Sequence, residues 1–303
     1  MEHLNYCDFS KLACTSILDY LPESYKDASV SVFRNVKLGG EYDAMTVRRK
    51  SVKQAGAVNL NAFYDRYCRG DDFDSLLKQM ADIVEQGNLN CDSEWITDYR
   101  EASRHLIMRV SNAGWNEKAL KTVPYRQIGD LALTFHILID LPDGQKGTAM
   151  INHNLLKIYG ITEQQLYEDA LKSSPLVQPA SFGIFSLAPS GRRDAESDRL
   201  YVLTNESGCF GASVLFYPGK MKEAAYVLGG DYFILPSSIH EVYLLRDTGQ
   251  DAAELDAIVR EANREAVQKS EQLSDHVYHY DAEKDLFESG SIYEAGKAER
   301  HVC

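Results

Sequence analysis

Apolar positions follow two regimes along the chain. In the first third they recur at helical spacing. Phe9, Leu12, Ala13, Ser16, Ile17 and Tyr20 make one stripe of a first helix, which Leu21-Pro22 stops. Leu60, Phe63, Tyr64 and Tyr67 mark a second helix, with Asn59 as its N-cap. A third, capped by Asp71 and Asp72, presents Leu76, Leu77, Met80, Ile83 and Val84. Between the first two, residues 29–36 and 44–49, separated by Gly39-Gly40, predict a strand pair. Residues 95–107 read as a helix or as one that breaks into a strand near Leu106–Val110, and 115–121 as a short helix.

Beyond residue 130 the runs shorten and alternate. Residues 131–139 are a long apolar run with Thr134 and His136 within it, and Asp143-Gly144-Gln145-Lys146-Gly147 turns them into a returning strand at 148–151. A helix over 153–159 ends on Gly160, and Thr162-Glu163-Gln164-Gln165 opens another that runs to about Ser173. Residues 174–199, with three prolines, read as a long surface loop. The centre of this half is 200–245: strands at 200–204, 212–217, 232–235 and 241–245, with a helix on Met221, Ala224, Ala225 and Leu228 closed by Gly229-Gly230. Asp251 caps a helix with Leu255, Val259, Ala262 and Ala266 on one face, and 277–280 is a last strand. The fold class is therefore α+β: a helical N-terminal half with a small strand pair, then a mixed β-sheet with flanking helices. The expected domains are 1–124 and 125–282, with a polar, fraying tail at 283–303.

Composition narrows the function classes. A net charge of −13 argues against binding nucleic acid or anionic membranes, both of which need clustered Lys and Arg. Arg48-Arg49-Lys50 with Lys53 is short and reads as a solvated strand end. No apolar run has the length of a membrane span, and the acidic N-terminal stretch is unlike a signal peptide. The six cysteines are scattered without a CxxC, as expected of reduced thiols in the cytoplasm. Eighteen tyrosines against two tryptophans is a high ratio; Tyr64, Tyr67, Tyr278 and Tyr280 suit either an interface or core packing.

The densest polar constellation is Ser237, Ser238, His240 and Glu241, with Asp231 upstream. A serine nucleophile needs a base within reach and an acid to orient it, and these residue types at a turn supply all three. Against that stand the missing GxSxG elbow and the ordinary role of serines in turns. His240, His276, Asp231 and Asp275 converge on a metal only through the fold, and His276 and His279 point to opposite faces of a strand. Ser207-Gly208-Cys209-Phe210-Gly211 lacks the following helix of a phosphate loop. No cofactor and no metal is expected.

The blocks TNESGCFGASVLFYPG, GDYFILPSSIHEVYLL and LSDHVYHYD, preceded by VNLNAFYDRY, TVPYRQIGDLAL and INHNLLKIYGITEQQLYEDAL, resemble a domain-of-unknown-function family of bacterial proteins common in gut Firmicutes. The resemblance spans about residues 58–281 and implies a cytosolic protein without a known cofactor. It brings no catalytic residue. The reading is a protein-binding or regulatory module; the alternative is a hydrolase using Ser237 or Ser238, His240, Glu241 and Asp231.

Overall fold

The computed structural model describes residues 4–50, 56–87, 94–140, 146–185 and 199–300. The chain divides into two compact units, Met1–Asp92 and Ser93–Cys303. The first holds α1 (Tyr6–Ser16), β1 (Ser29–Lys37), β2 (Gly40–Arg48), β3 (Ala57–Asn59), α2 (Leu60–Cys68) and α3 (Phe73–Gly87). Its antiparallel sheet runs β1-β2-β3. Phe9 and Ala13 of α1, and Ile17 just after it, meet Leu76, Leu77, Met80 and Val84 of α3 in its core, so the helical stripes read in the sequence are the buried faces.

The second unit continues with α4 (Tyr99–Ala102), β4 (Leu106–Asn112), α5 (Glu117–Leu120), β5 (Tyr125–Ile128), β6 (Leu131–Asp140), β7 (Lys146–Met150), α6 (His153–Tyr159) and α7 (Glu163–Val177). There follow β8 (Ala180–Phe185), β9 (Leu200–Asn205), a 3-10 helix (Gly211–Phe216), α8 (Lys220–Leu228), β10 (Tyr232–Leu235), β11 (Val242–Arg246), α9 (Ala252–Glu265), β12 (Tyr278–Asp281), β13 (Leu286–Ser289) and α10 (Gly290–Arg300). One sheet joins β4 to β6, with β5 and β7 both on the other edge of β6; the second has the order β13-β12-β10-β11-β9-β8.

β10 shows why its run Tyr-Phe-Ile-Leu is apolar without interruption. Tyr232 and Ile234 enter the large core with Met108, Leu133 and Phe135, while Phe233 and Leu235 pack beneath Leu255 and Val259 of α9. Successive side chains point to opposite faces, and both faces are covered. Among the described residues no helix is long and apolar enough to cross a membrane.

Several expectations need correction. The sheet is not mixed: every pairing between described strands is antiparallel. β9 and β10 run the same way, as a strand–helix–strand crossover demands, but β11 lies between them. The apolar run 212–217 lies in a buried 3-10 helix and the residue after it, not in a strand. A boundary at Pro124 would cut the four-stranded sheet, since β4 pairs with β6 across it; the contact division lies after Asp92. α7 runs through Pro175 to Val177 and β8 follows, so 174–185 is no loop; the rest of that loop, 186–198, lies outside the described residues, as do Lys53 and 143–145 of the hairpin turn. The tail does not fray at 283: β13 pairs with β12, and Tyr293 of α10 packs against the Phe233 cluster. Phe287 and Tyr293 give this polar segment enough apolar contact to dock.

Candidate functional site

The turn 236–241 joins β10 to β11 and is held by its own side chains. The Ser238 hydroxyl accepts the His240 N–H at 3.0 Å, and the Ser238 N–H bonds the Glu241 carbonyl at 3.2 Å. This is the turn role serine plays for its own backbone. Glu241 accepts the Tyr243 hydroxyl at 2.8 Å. Burial first, then the Glu241 hydrogen bond, push the Tyr243 phenol up to about 12, with Ser237 bonding the same phenol and opposing the shift.

His240 faces elsewhere. Its Nδ1 accepts the Phe210 N–H at 3.1 Å, which places the ring proton on Nε2, and Nε2 lies 3.6 Å from a Glu271 carboxylate oxygen. One nitrogen has its lone pair engaged and the other carries the proton. A neutral His240 so placed has no free lone pair with which to take a proton from Ser237 or Ser238. Asp231 stands at the opposite end of β10, accepting the Ala282 N–H at 2.9 Å. The structure thus groups Ser237 with Glu241 and Tyr243, and His240 with Phe210 and Glu271, and leaves Asp231 apart.

Phe210 is the residue that reading the sequence missed. It has φ 56°, in the left-handed region that bulky residues avoid, and its ring centroid lies 5.2 Å from that of His240. Ser213 donates to its carbonyl at 3.2 Å. Gly211 follows at a crowded point: an added Cβ would strike Thr204 Oγ1 and stand 2.5 Å from the Asn205 nitrogen and 2.7 Å from the His240 carbonyl oxygen. The two glycines around Cys209-Phe210 were the available signal.

The other histidines separate as well. His276 lies 3.6 Å from Asp256, and Asp275 bonds Asn263 at 2.8 Å. His279 is fully buried, with Nε2 3.2 Å from Asp247. Tyr293 donates to the same Asp247 oxygen and stacks on the imidazole at 3.5 Å between centroids. Burial alone would raise the Asp247 carboxyl, but bonds from His279, Tyr293 and the Gly249 N–H outweigh it and hold it well below the usual carboxylate range. This resembles a catalytic pair in composition, yet the imidazole is fully buried and Tyr293 of α10 stacks on it. Among the described residues, no three His, Cys, Asp or Glu side chains are placed to hold a metal ion.

Of the tyrosines singled out by abundance, Tyr278 and Tyr280 are core residues, and Tyr64 and Tyr67 join an aromatic cluster around Phe9. Among the described residues the most exposed tyrosine is Tyr226, 89% accessible on α8, with Val227 beside it at 48%. Tyr226 borders an open depression of about 530 Å³ lined also by Lys222, Ala225, Gly229, Gly230 and Ala282. The stripe Met221, Ala224, Ala225 and Leu228 faces inward and turns Tyr226-Val227 outward, so this too was readable from the helical period.

No curated protein matches the chain, and no solved structure does. The expected resemblance is met at the level of the family: a model of a family of unknown function, DUF5688, matches residues 6–282, and the chain belongs to that family.

Proposed function

We propose that the chain is a cytosolic binding module that works through protein contacts, using the outer face of α8. The observation that carries this reading is Tyr226, 89% exposed beside an apolar hollow whose rim holds the Lys222–Asp285 ion pair at 2.8 Å. An aromatic side chain next to a hollow, within a polar rim, is the composition of an interface centre. The unpaired Cys7, Cys14, Cys68 and Cys209 fit a reducing compartment. The hydrolase alternative gains no support from His240, whose Nδ1 lone pair is taken by the Phe210 N–H.

Photo-crosslinking from Tyr226→p-benzoylphenylalanine in native cells tests the reading. One discrete protein adduct is expected. Tyr226→Ala should weaken binding of that partner by a factor of about 30, the loss of a central tyrosine worth ~2 kcal/mol. Tyr226→Phe should retain most of the affinity, and melting of both variants should match the parent. A partner that binds equally well after Tyr226→Ala and Val227→Asp, or the lack of any discrete adduct, overturns the reading.

A further inference from the structure

Arg109 lies on β4 between Met108 and Val110, which point into the large core, so its own side chain projects from the opposite face of that sheet. In register beside it on β6 are Thr134 and, one pair further, His136, whose ring nitrogen is 3.0 Å from the Thr134 hydroxyl. The guanidinium carbon sits 3.4 Å from the centroid of the Phe210 ring, the residue held at positive φ. One terminal nitrogen donates to Thr148 Oγ1 at 2.6 Å, and Nε is buried without a partner. Among the described residues no carboxylate pairs with Arg109.

That is an unusual balance for a cation so far withdrawn from water. A guanidinium offers five N–H donors in a plane, and among the described residues one of them finds an acceptor. Burial without a counter-charge pulls Arg109 down to about 10, still protonated at neutral pH. Phe210 covers one face of the plane, and Thr148, which the guanidinium bonds, is exposed. An arginine fixed by stacking has lost its rotamer freedom before any ligand arrives, which favours in-plane recognition of an oxyanion. The charge count selects the oxyanion. His136 is pushed well below its ordinary value by burial and by Arg109, and so is neutral. Lys146, on the same face, is paired with Asp140 at 2.6 Å. Among the described residues one positive charge remains on this face, which matches a carboxylate and leaves a phosphate dianion half neutralised.

We propose that Arg109, stacked on Phe210 and flanked by Thr148, is a recognition site for the carboxylate of a small-molecule ligand. The site is independent of the α8 surface and stands or falls separately. The chain's own Asp194, Glu196 and Asp198 are the competing source of a carboxylate, and the test separates the two.

Thermal unfolding of the full chain is followed by tryptophan fluorescence in acetate, benzoate, phosphate or chloride at one ionic strength. The expected result is a saturable rise in Tm with acetate and benzoate, absent with chloride and weaker with phosphate. Arg109→Gln should abolish it, and Arg109→Lys, which keeps the charge but loses the fork, should weaken binding about tenfold. Thr148→Val, a change at an exposed strand position, should weaken it several-fold and serves if the Arg109 variants do not fold. Asp194→Asn, Glu196→Gln and Asp198→Asn combined should leave the response as in the parent. An equal response to chloride, a response retained by Arg109→Gln, or a combined variant destabilised as much as Arg109→Gln overturns the proposal, the last by placing the counter-charge within the chain.

Discussion

Gly211 and Phe210 show how much of this unit depends on single positions. Phe210 holds a conformation costing about 1–2 kcal/mol for a residue with a Cβ. It is kept there by the His240 Nδ1 acceptor on its N–H and by Ser213 on its carbonyl. Gly211 lets the chain pass against Asn205 and the His240 carbonyl, backbone atoms that cannot rotate aside. Gly211→Ala is therefore expected to cost about 1–3 kcal/mol, the range for overpacking a rigid site. Urea unfolding read by tryptophan fluorescence checks this, since Trp95 and Trp115 both belong to the Ser93–Cys303 unit. A midpoint within error of the parent would mean that the approach is soft.

Individual elements were legible where their signals are local. Asn59, Thr162 and Asp251 each accept a backbone N–H from the first turn they were assigned, as Asn152 does ahead of α6, and Gly160 and Gly229 end their helices at φ 66° and 81°. Elements decided by the surrounding fold were not legible. Residues 211–216 are buried on every side, so no polar position marks a period, and strand and helix look alike. The face of α9 was misplaced for a related reason. Asn263 is buried instead of Ala262 because its amide bonds the Ser274 carbonyl at 2.9 Å and the Asp275 carboxylate at 2.8 Å. The candidate site followed the same division. The serine turn was visible in sequence, but the direction of His240 depends on Phe210, thirty residues earlier. α10 gives the sharpest test of an element held by tertiary contact. Its Tyr293 stacks on His279, meets Phe233 edge-on at 5.7 Å and bonds Asp247. Tyr293→Ala is expected to lower stability by at least about 2 kcal/mol, as deletion of a packed aromatic does. Ending the chain at Ser289 should lower it further, whereas a freely fraying tail would make both changes neutral in urea unfolding.

For the molecule as a whole, His136 and Asp247 each contribute to the response to acid, in separate pH windows. His136 is neutral in the folded state, its pKa depressed by burial and then by Arg109. The unfolded chain binds this proton near the ordinary value of about 6.5, and the folded one does not. Stability is thus complete above about pH 6.5 and falls as pH drops below it, by at most about 1.4 kcal/mol per pH unit for one proton. Asp247 is depressed too, so its contribution persists above the ordinary carboxylate value of about 3.9 and is lost as pH falls toward its folded pKa. The two variants should separate the windows. His136→Gln, whose amide can keep the Thr134 bond, is expected to flatten urea midpoints between pH 7 and 5, windows taken from these ordinary values. Asp247→Asn should leave that slope in place and lessen the fall below about pH 4, to which the depressed carboxylates Asp169, Asp281 and Asp285 also contribute. Both are read by tryptophan fluorescence, which confines the signal to the unit that holds His136 and Asp247. If the parent shows no loss between pH 7 and 5, His136 accepts a proton without unfolding. A neutral His136 beneath Arg109 would then be an incorrect account of that sheet face, and the charge count that selects a carboxylate there would have to be redone with two cations.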